Sequence, residues 1–354
     1  MTQDPVTMFH GQNPSQYKNR KEGEGLVTGC WQPSTGLDEI RRRAEVLAEV
    51  RSFFSGREVL EVETPLLSAF TVTDPFVAPI EVPYAPSGSH SSYYLQTSPE
   101  YAMKRMLAAY GSELKGIYQV CRAFRDDACS ARHNPEFTML EWYRMGFSLQ
   151  NLIDEVGDLL RAVYSRQGQK LEIRQQSYLS LFEDFFGINP HTVALKELQA
   201  LAKPWLPESS EDLDKKDLLE LIFSFCIEPK LSDYPAIFVT DYPECMSALA
   251  QLATDKNQGL TTASRFELYV NGFELANGYH ELRDPAVHKI RFLADQQRRK
   301  VLGLPVYEID MRFMSAVESG LPDCCGVALG VDRLLMALSG QPIAGVINFP
   351  FTSA

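Results

Sequence analysis

Residues 119–143, QVCRAFRDDACSARHNPEFTMLEWY, constrain the fold more than any other part of the chain. On either side of a polar loop the side chains alternate with the period of two that marks a strand. Gln119, Cys121, Ala123 and Arg125 share one face of the first strand, and Phe137, Met139, Glu141 and Tyr143 share one face of the second. The intervening DDACSARHNPE has one proline and no apolar period, so it is a loop, and it carries Arg132 and His133. One face of a hairpin then presents a guanidinium, an aromatic ring, a carboxylate and a phenol. Such a face suits phosphates, a flat ring and an amine. It is equally what an amphipathic hairpin with ordinary surface charges presents, and spacing alone does not separate the two.

A second hairpin lies in the C-terminal third. An Asn271-Gly272 turn, the strongest hairpin signal in the chain, joins a strand at 266–270 to the return stretch FELANGYHEL. Strict alternation there puts Asn277, Tyr279 and Glu281 on one face and Glu274 on the other. Carboxylates inside so apolar a hairpin are costly unless paired or metal-bound. His280 and His288 read as surface residues or as neighbours of a site, because nothing near them has metal-ligand spacing. GVALGVDRLLMAL, at 326–338, is an apolar strand running into a helix. Arg333 sits at the start of that helix, the end where the macrodipole disfavours a cation. An anionic or aromatic ligand would give it a reason to be there.

Apolar periodicity places further helices at 37–54, 149–164, 178–186, 212–226 and 287–301. Thr35 and Asp38 fit a capping box for the first of them. Ser98-Pro99 starts another helix, to about residue 110, with Glu100 in its first turn. Strands fall at 59–64, ending on Pro65, and at 93–97 and 236–240. Residues 1–30 read as a flexible extension, 31–354 as one catalytic domain, and about 170–260 as a helical insertion that frames a site.

Composition narrows the classes. With 354 residues, 45% hydrophobic and 23% charged, this is a globular chain large enough for one big α/β-type core. A formal net charge of −12 argues against tight nonspecific nucleic-acid binding, which depends on Lys and Arg neutralising phosphates. Seven cysteines without a CxxC pair or a secretory signal read as reduced thiols of a cytoplasmic protein, with Cys324 and Cys325 as buried small side chains. No run approaches a membrane span. Walker and dinucleotide-binding glycine patterns are absent from any strand–helix junction.

Taken in order, LEVETP, TSPE, FRDDACSARHNPEF, FELANGYHEL and GVALGVDR resemble the motifs of class II aminoacyl-tRNA synthetases. The likeness is closest to the catalytic domain of lysyl-tRNA synthetase and runs from about residue 37 to the end. It implies an α+β fold, an antiparallel sheet flanked by helices, and a homodimer formed around the strand that ends at Pro65. It also implies ATP and Mg2+. By the resemblance, Arg125 contacts the α-phosphate and the substrate carboxylate, with Asp127 beside it in the loop. Arg132 and His133 lie near the terminal phosphates. Phe137 and Arg333 sandwich adenine, and Glu267 and Glu274 hold magnesium. Glu274 must then share a face with Asn277, which predicts a bulge near 276–278. Glu100 would meet the substrate amino group and Asn277 its carboxylate. Glu141, Tyr143 and Glu281 would meet a side-chain ammonium, with Ser98, Tyr279 and Ala328 completing the pocket. Acidic groups at the far end of the pocket fit a cationic, lysine-like substrate.

Three positions depart from the synthetases. Only about 36 residues precede the first helix, too few for an anticodon-binding barrel. Ala328 stands where the synthetases have Gly. Asp127 stands where Glu is usual. A truncated lysyl-tRNA synthetase homologue with an intact site resembles the elongation factor P–lysine ligase family. That family activates (R)-β-lysine as an adenylate and joins it to a lysine ε-amino group on elongation factor P. The expected partners are therefore elongation factor P and (R)-β-lysine or lysine, with no tRNA and no membrane. A short lysyl-tRNA synthetase that charges tRNA, and a non-catalytic amino-acid-binding paralogue, are the alternatives.

Overall fold

The computed structural model describes residues 31–84, 92–206, 213–255 and 259–354. The expected extension at 1–30 and the first residue of the helix expected at 212–226 lie outside the described residues. Twelve described strands run in chain order as β1 (Leu60–Glu61), β2 (Leu67–Ser68), β3 (Glu81–Pro83), β4 (Ser92–Leu95), β5 (Gly116–Phe124), β6 (Glu136–Met145), β7 (Ile173–Ser177), β8 (Ala236–Pro243), β9 (Leu252–Asp255), β10 (Leu260–Val270), β11 (Phe273–His280) and β12 (Cys324–Gly330). The main sheet has nine strands in the order β1-β5-β6-β12-β11-β10-β8-β7, with β9 paired to β10; β2, β4 and β3 form a small separate sheet. The centre is antiparallel, and only the outermost pairs, β1–β5 and β7–β8, are parallel. The segment 170–260 is helical over much of its length and also gives the sheet β7, β8 and β9.

The helices are α1 (Leu37–Ser55), α2 (Glu100–Tyr110), α3 (Leu149–Arg166), α4 (Tyr178–Phe186), α5 (Leu195–Ala202), α6 (Lys215–Ile222), α7 (Pro285–Val301), α8 (Met311–Gly320), α9 (Val331–Ser339) and α10 (Ile343–Val346). The even-numbered residues of β6, Leu140 and Trp142, are fully buried with Val50, Phe54, Val156, Leu160 and Leu335 of α1, α3 and α9. Alternation then leaves Phe137, Met139, Glu141 and Tyr143 on the opposite face. Helix α3 begins at a complete capping box made by Ser148 and Asn151.

Some local expectations are corrected. The capping box at Thr35 and Asp38 does not form: Gly36 caps α1, and the Thr35 hydroxyl bonds Asn348 Oδ1 at 2.6 Å instead. A side chain that can tie the chain ends together is not available to the helix. The strand expected at 59–64 is paired only over Leu60–Glu61. The helix expected at 212–226 is α-helical only over Lys215–Ile222, after which Phe223–Ile227 widens into a π turn. Of the two positions expected for His288, on the surface or beside a site, the surface one is excluded: it is fully buried against Phe292 and Phe313.

The bulge exists one residue earlier than expected. Leu268 faces Ala276 while Tyr269 faces Glu274, so Leu275 is the extra residue in β11. The inserted residue reverses parity, and Glu274 joins Asn277, Tyr279 and Glu281 on one face.

One buried ion pair ties this architecture together. Asp332, at the start of α9, accepts from the Thr138 backbone N–H of β6 at 2.6 Å and pairs with Arg43 of α1. Arg43 also donates to the Val346 carbonyl at 2.9 Å. Arg43→Met leaves the Asp332 carboxylate buried without its cation. It is expected to cost about 3 kcal/mol of unfolding free energy, measured by chemical denaturation.

Candidate active site

Strand register carries the site. Gln119, Glu141, Ala328, Asn277 and Glu267 are successive cross-strand partners over β5, β6, β12, β11 and β10. One row away run Ile117, Tyr143, Gly326, Tyr279 and Arg265. Directly opposed residues in antiparallel strands point to the same face, so the two rows form a floor. Above it lies a cavity of about 820 Å³, lined among others by Ser98, Glu100, Arg125, Asp127, Arg132, His133, Phe137, Glu141, Tyr143, Glu274, Asn277, Tyr279, Glu281, Ala328 and Arg333. Of the site residues that the resemblance implied, Glu267 alone does not line it.

One end of the cavity suits an anion and a flat ring. The Arg125 guanidinium carbon lies 5.3 Å from the centre of the Phe137 ring, and its buried Nε has no partner. Arg333 donates to the Glu274 carbonyl at 2.6 Å and lies 3.1 Å from His133 Nε2. Burial and the Arg333 charge hold His133 below its ordinary pKa, which lets this nitrogen accept from Arg333. The backbone contact explains how a cation is retained at the N-terminal end of α9. The Arg132 guanidinium packs 4.7 Å above the Phe273 ring.

The other end is acidic. Glu141 accepts from Ser98 Oγ at 2.7 Å and from the Tyr143 hydroxyl at 2.6 Å. Ser98 in turn accepts the Glu100 N–H at 3.0 Å, at the start of α2. Gly326 is needed here: a Cβ would collide with the Tyr143 ring and the Glu281 carboxylate. Burial, and then the Glu100 charge, push the Glu141 carboxyl up to about 7, against the pull of its two hydroxyl donors and Lys104. Burial pushes Glu281 up to about 8, opposed by Lys104 and reinforced by Glu100.

Glu267 is held at the β10 end of the floor by four donors. They are Arg265, the Tyr242 hydroxyl at 2.8 Å, the Tyr269 hydroxyl at 2.6 Å and Asn277 Nδ2 at 3.3 Å. Burial and the charge of Glu267 raise the Glu274 carboxyl. Two facing carboxylates of this kind fit a hard dication that draws its other ligands from water and phosphate, the habit of Mg2+. Among the described residues no group of three or more His, Cys, Asp or Glu stands at metal-binding distance. Asn277 gives one amide N–H to Glu267 and keeps a second for a carboxylate, while its buried Oδ1 has no partner.

Sequence reasoning missed Lys104, fully buried with Nζ 2.6 Å from Glu100. Its signal was the i,i+4 spacing from Glu100 on a helix. It also missed Arg265, whose signal was the period of two from Glu267.

With this geometry in place, comparison with known proteins decides the family. The model of the family described as tRNA synthetases class II (D, K and N) matches residues 34–353. The chain belongs to that family. It is 41% identical over 327 residues to the elongation factor P–(R)-β-lysine ligase of Pasteurella multocida, covering 92% of this chain and 98% of that protein. Identity to the ligases of the same name from Mannheimia succiniciproducens and Haemophilus influenzae is 42%, again over 92% of this chain and 98% of each relative. Among the described residues no helix is long and apolar enough to cross a membrane.

The raised carboxyls make ammonium binding pH-dependent. An ammonium ligand favours the ionised forms of Glu141 and Glu281, so binding at pH 7 must release protons. The apparent affinity for lysine should rise from pH 6 to 8, by up to about tenfold per unit for each proton released. Titration calorimetry in buffers of different ionisation enthalpy reads the proton release. Proton uptake would contradict the assignment of these carboxylates.

Proposed function

We propose that this chain activates (R)-β-lysine, or lysine, with ATP and transfers the aminoacyl group to the ε-amino group of a lysine on elongation factor P. The observation that carries this reading is one cavity lined at one end by Phe137, Arg333 and Arg125, whose buried Nε has no partner, and at the other by Glu100, Glu141 and Glu281. Such a cavity accommodates ATP and a diamino acid side by side. The names and full-length coverage of the ligase relatives support the acceptor.

In the first step the amino-acid carboxylate attacks the α-phosphorus in line and pyrophosphate leaves. Arg125, already aimed into the cavity, neutralises charge that develops on the α-phosphate. Phe137 and Arg333 hold the adenine between a ring and a planar cation. Mg2+ held by Glu274 and Glu267 would neutralise phosphate charge. In the second step the acceptor amine attacks the carbonyl carbon of the mixed anhydride: a C–N bond forms, the C–O bond to phosphate breaks, AMP leaves and the amine loses a proton. The acidic pocket orients the substrate so that its carboxylate lies toward Arg125. The exposed Leu60, Leu66 and Leu67 flanking Pro65 are available to a homodimer contact that belongs to the same reading.

ATP–pyrophosphate exchange over α-lysine, both β-lysine isomers, ornithine and aspartate tests this directly. Exchange should be strongest with (R)-β-lysine, weaker with α-lysine and lacking with aspartate; exchange with none of them would overturn the reading. Ala328 stands between Glu141 and Asn277 on the floor. Removing its methyl group in Ala328→Gly should shift preference toward α-lysine by about 1–3 kcal/mol, read as the ratio of kcat/KM values.

A further inference from the structure

Lys104 is fully buried and is not among the residues that line the cavity. Its ammonium lies 2.6 Å from Glu100 Oε1 and 2.5 Å from Glu281 Oε2, with the Tyr143 ring centre at 6.0 Å. The titratable groups facing it come from its own helix, from or just after three strands of the sheet, and from α7. Glu100 is on its own helix, Glu141 and Tyr143 are on β6, Glu281 follows β11, Cys324 is on β12 and His288 is on α7. Burial keeps Tyr143 and Cys324 uncharged by raising them well above their ordinary values. Burial and the Lys104 charge push His288 down to about 4, so it too is neutral. Once Glu100, Glu141 and Glu281 are all ionised, as an ammonium ligand requires, the charged groups are three carboxylates and one ammonium, and three negative charges less one positive leave two.

We propose that Lys104 is a positioning residue that fixes the charge of the amino-acid pocket: by pairing with Glu100 and Glu281 from beneath, it leaves two negative charges for a substrate that carries two ammonium groups. This rests on the diamino-acid reading above. A mono-ammonium amino acid leaves one carboxylate unmatched in a buried site, and an uncharged side chain does worse. Without the fixed cation, three carboxylates crowd one another and hold protons more tightly. The pocket must then shed more protons before it can accept the substrate.

Lys104→Met and Lys104→Ala test this by pyrophosphate exchange from pH 6 to 9. At pH 7 the KM for β-lysine should rise roughly tenfold or more and recover as pH rises, its midpoint displaced upward by about one unit or more, while the KM for ATP changes by less than about twofold. Ethylammonium added to Lys104→Ala should restore the amino-acid KM, whereas ethanol should not. A lower kcat or melting temperature with an unmoved pH midpoint, or equal rescue by ethanol, overturns the proposal. Should neither variant fold, 15N-lysine spectra of the wild-type protein decide: one ammonium in slow exchange, protonated up to pH 9, supports it, and titration of that group below pH 9 overturns it. Absence of exchange in the wild-type enzyme sinks the parent reading and this one with it. Exchange in the wild type with unmoved variant profiles sinks this one alone.

Discussion

The site depends on the parity of one antiparallel sheet. Because opposed residues share a face, a carboxylate in β6, a methyl group in β12 and an amide in β11 are set side by side by hydrogen bonds the backbone makes in any case. The opposite parity buries Leu140 and Trp142 against the helices. Specificity and stability are thus written on alternate residues of the same strands. A one-residue slip would exchange them. The pairing also shifts between Ala263 and Phe266 of β10, but the break that shapes the site is Leu275, without which the Glu274 side chain would point into the core.

Upon that floor the chemistry is a separation of charge. Arg125 and Arg333 stand at one end of the cavity, and Glu100, Glu141 and Glu281 at the other. Neither group is neutralised within itself. The acidic end is only part-balanced by Lys104, and Arg125 keeps a buried donor unused. Buried groups left in that state are costly in an empty protein and become favourable when a ligand of opposite polarity arrives. The Glu267 carboxylate shows the contrast: four donors satisfy it, and it lies outside the cavity lining.

Much of this was legible in the sequence because it is periodic. The hairpin of Arg125 and Phe137, the Asn271-Gly272 turn and the strand-to-helix stretch at Arg333 follow rules of spacing two and 3.6. The need for a bulge was legible as well, since two acidic residues on opposite faces could not otherwise serve one site. Its place at Leu275 depends on how β10 pairs, which no local pattern records. Lys104 and Arg265 each have one partner close in sequence, Glu100 and Glu267, but a local pair does not tell a buried cation from a surface one; the second Lys104 partner, Glu281, lies far along the chain. The capping role given to Thr35 failed for the same reason, since Asn348 arrives from the far end of the chain.

The central claim is that the activated amino acid is passed to a protein amine. Its most direct test is the intact mass of elongation factor P after incubation with this protein, ATP and (R)-β-lysine. The account predicts a gain of one lysyl residue on a single lysine, dependent on ATP and lost in Arg125→Ala. An unchanged mass, under conditions where the amino acid is demonstrably activated, would contradict it.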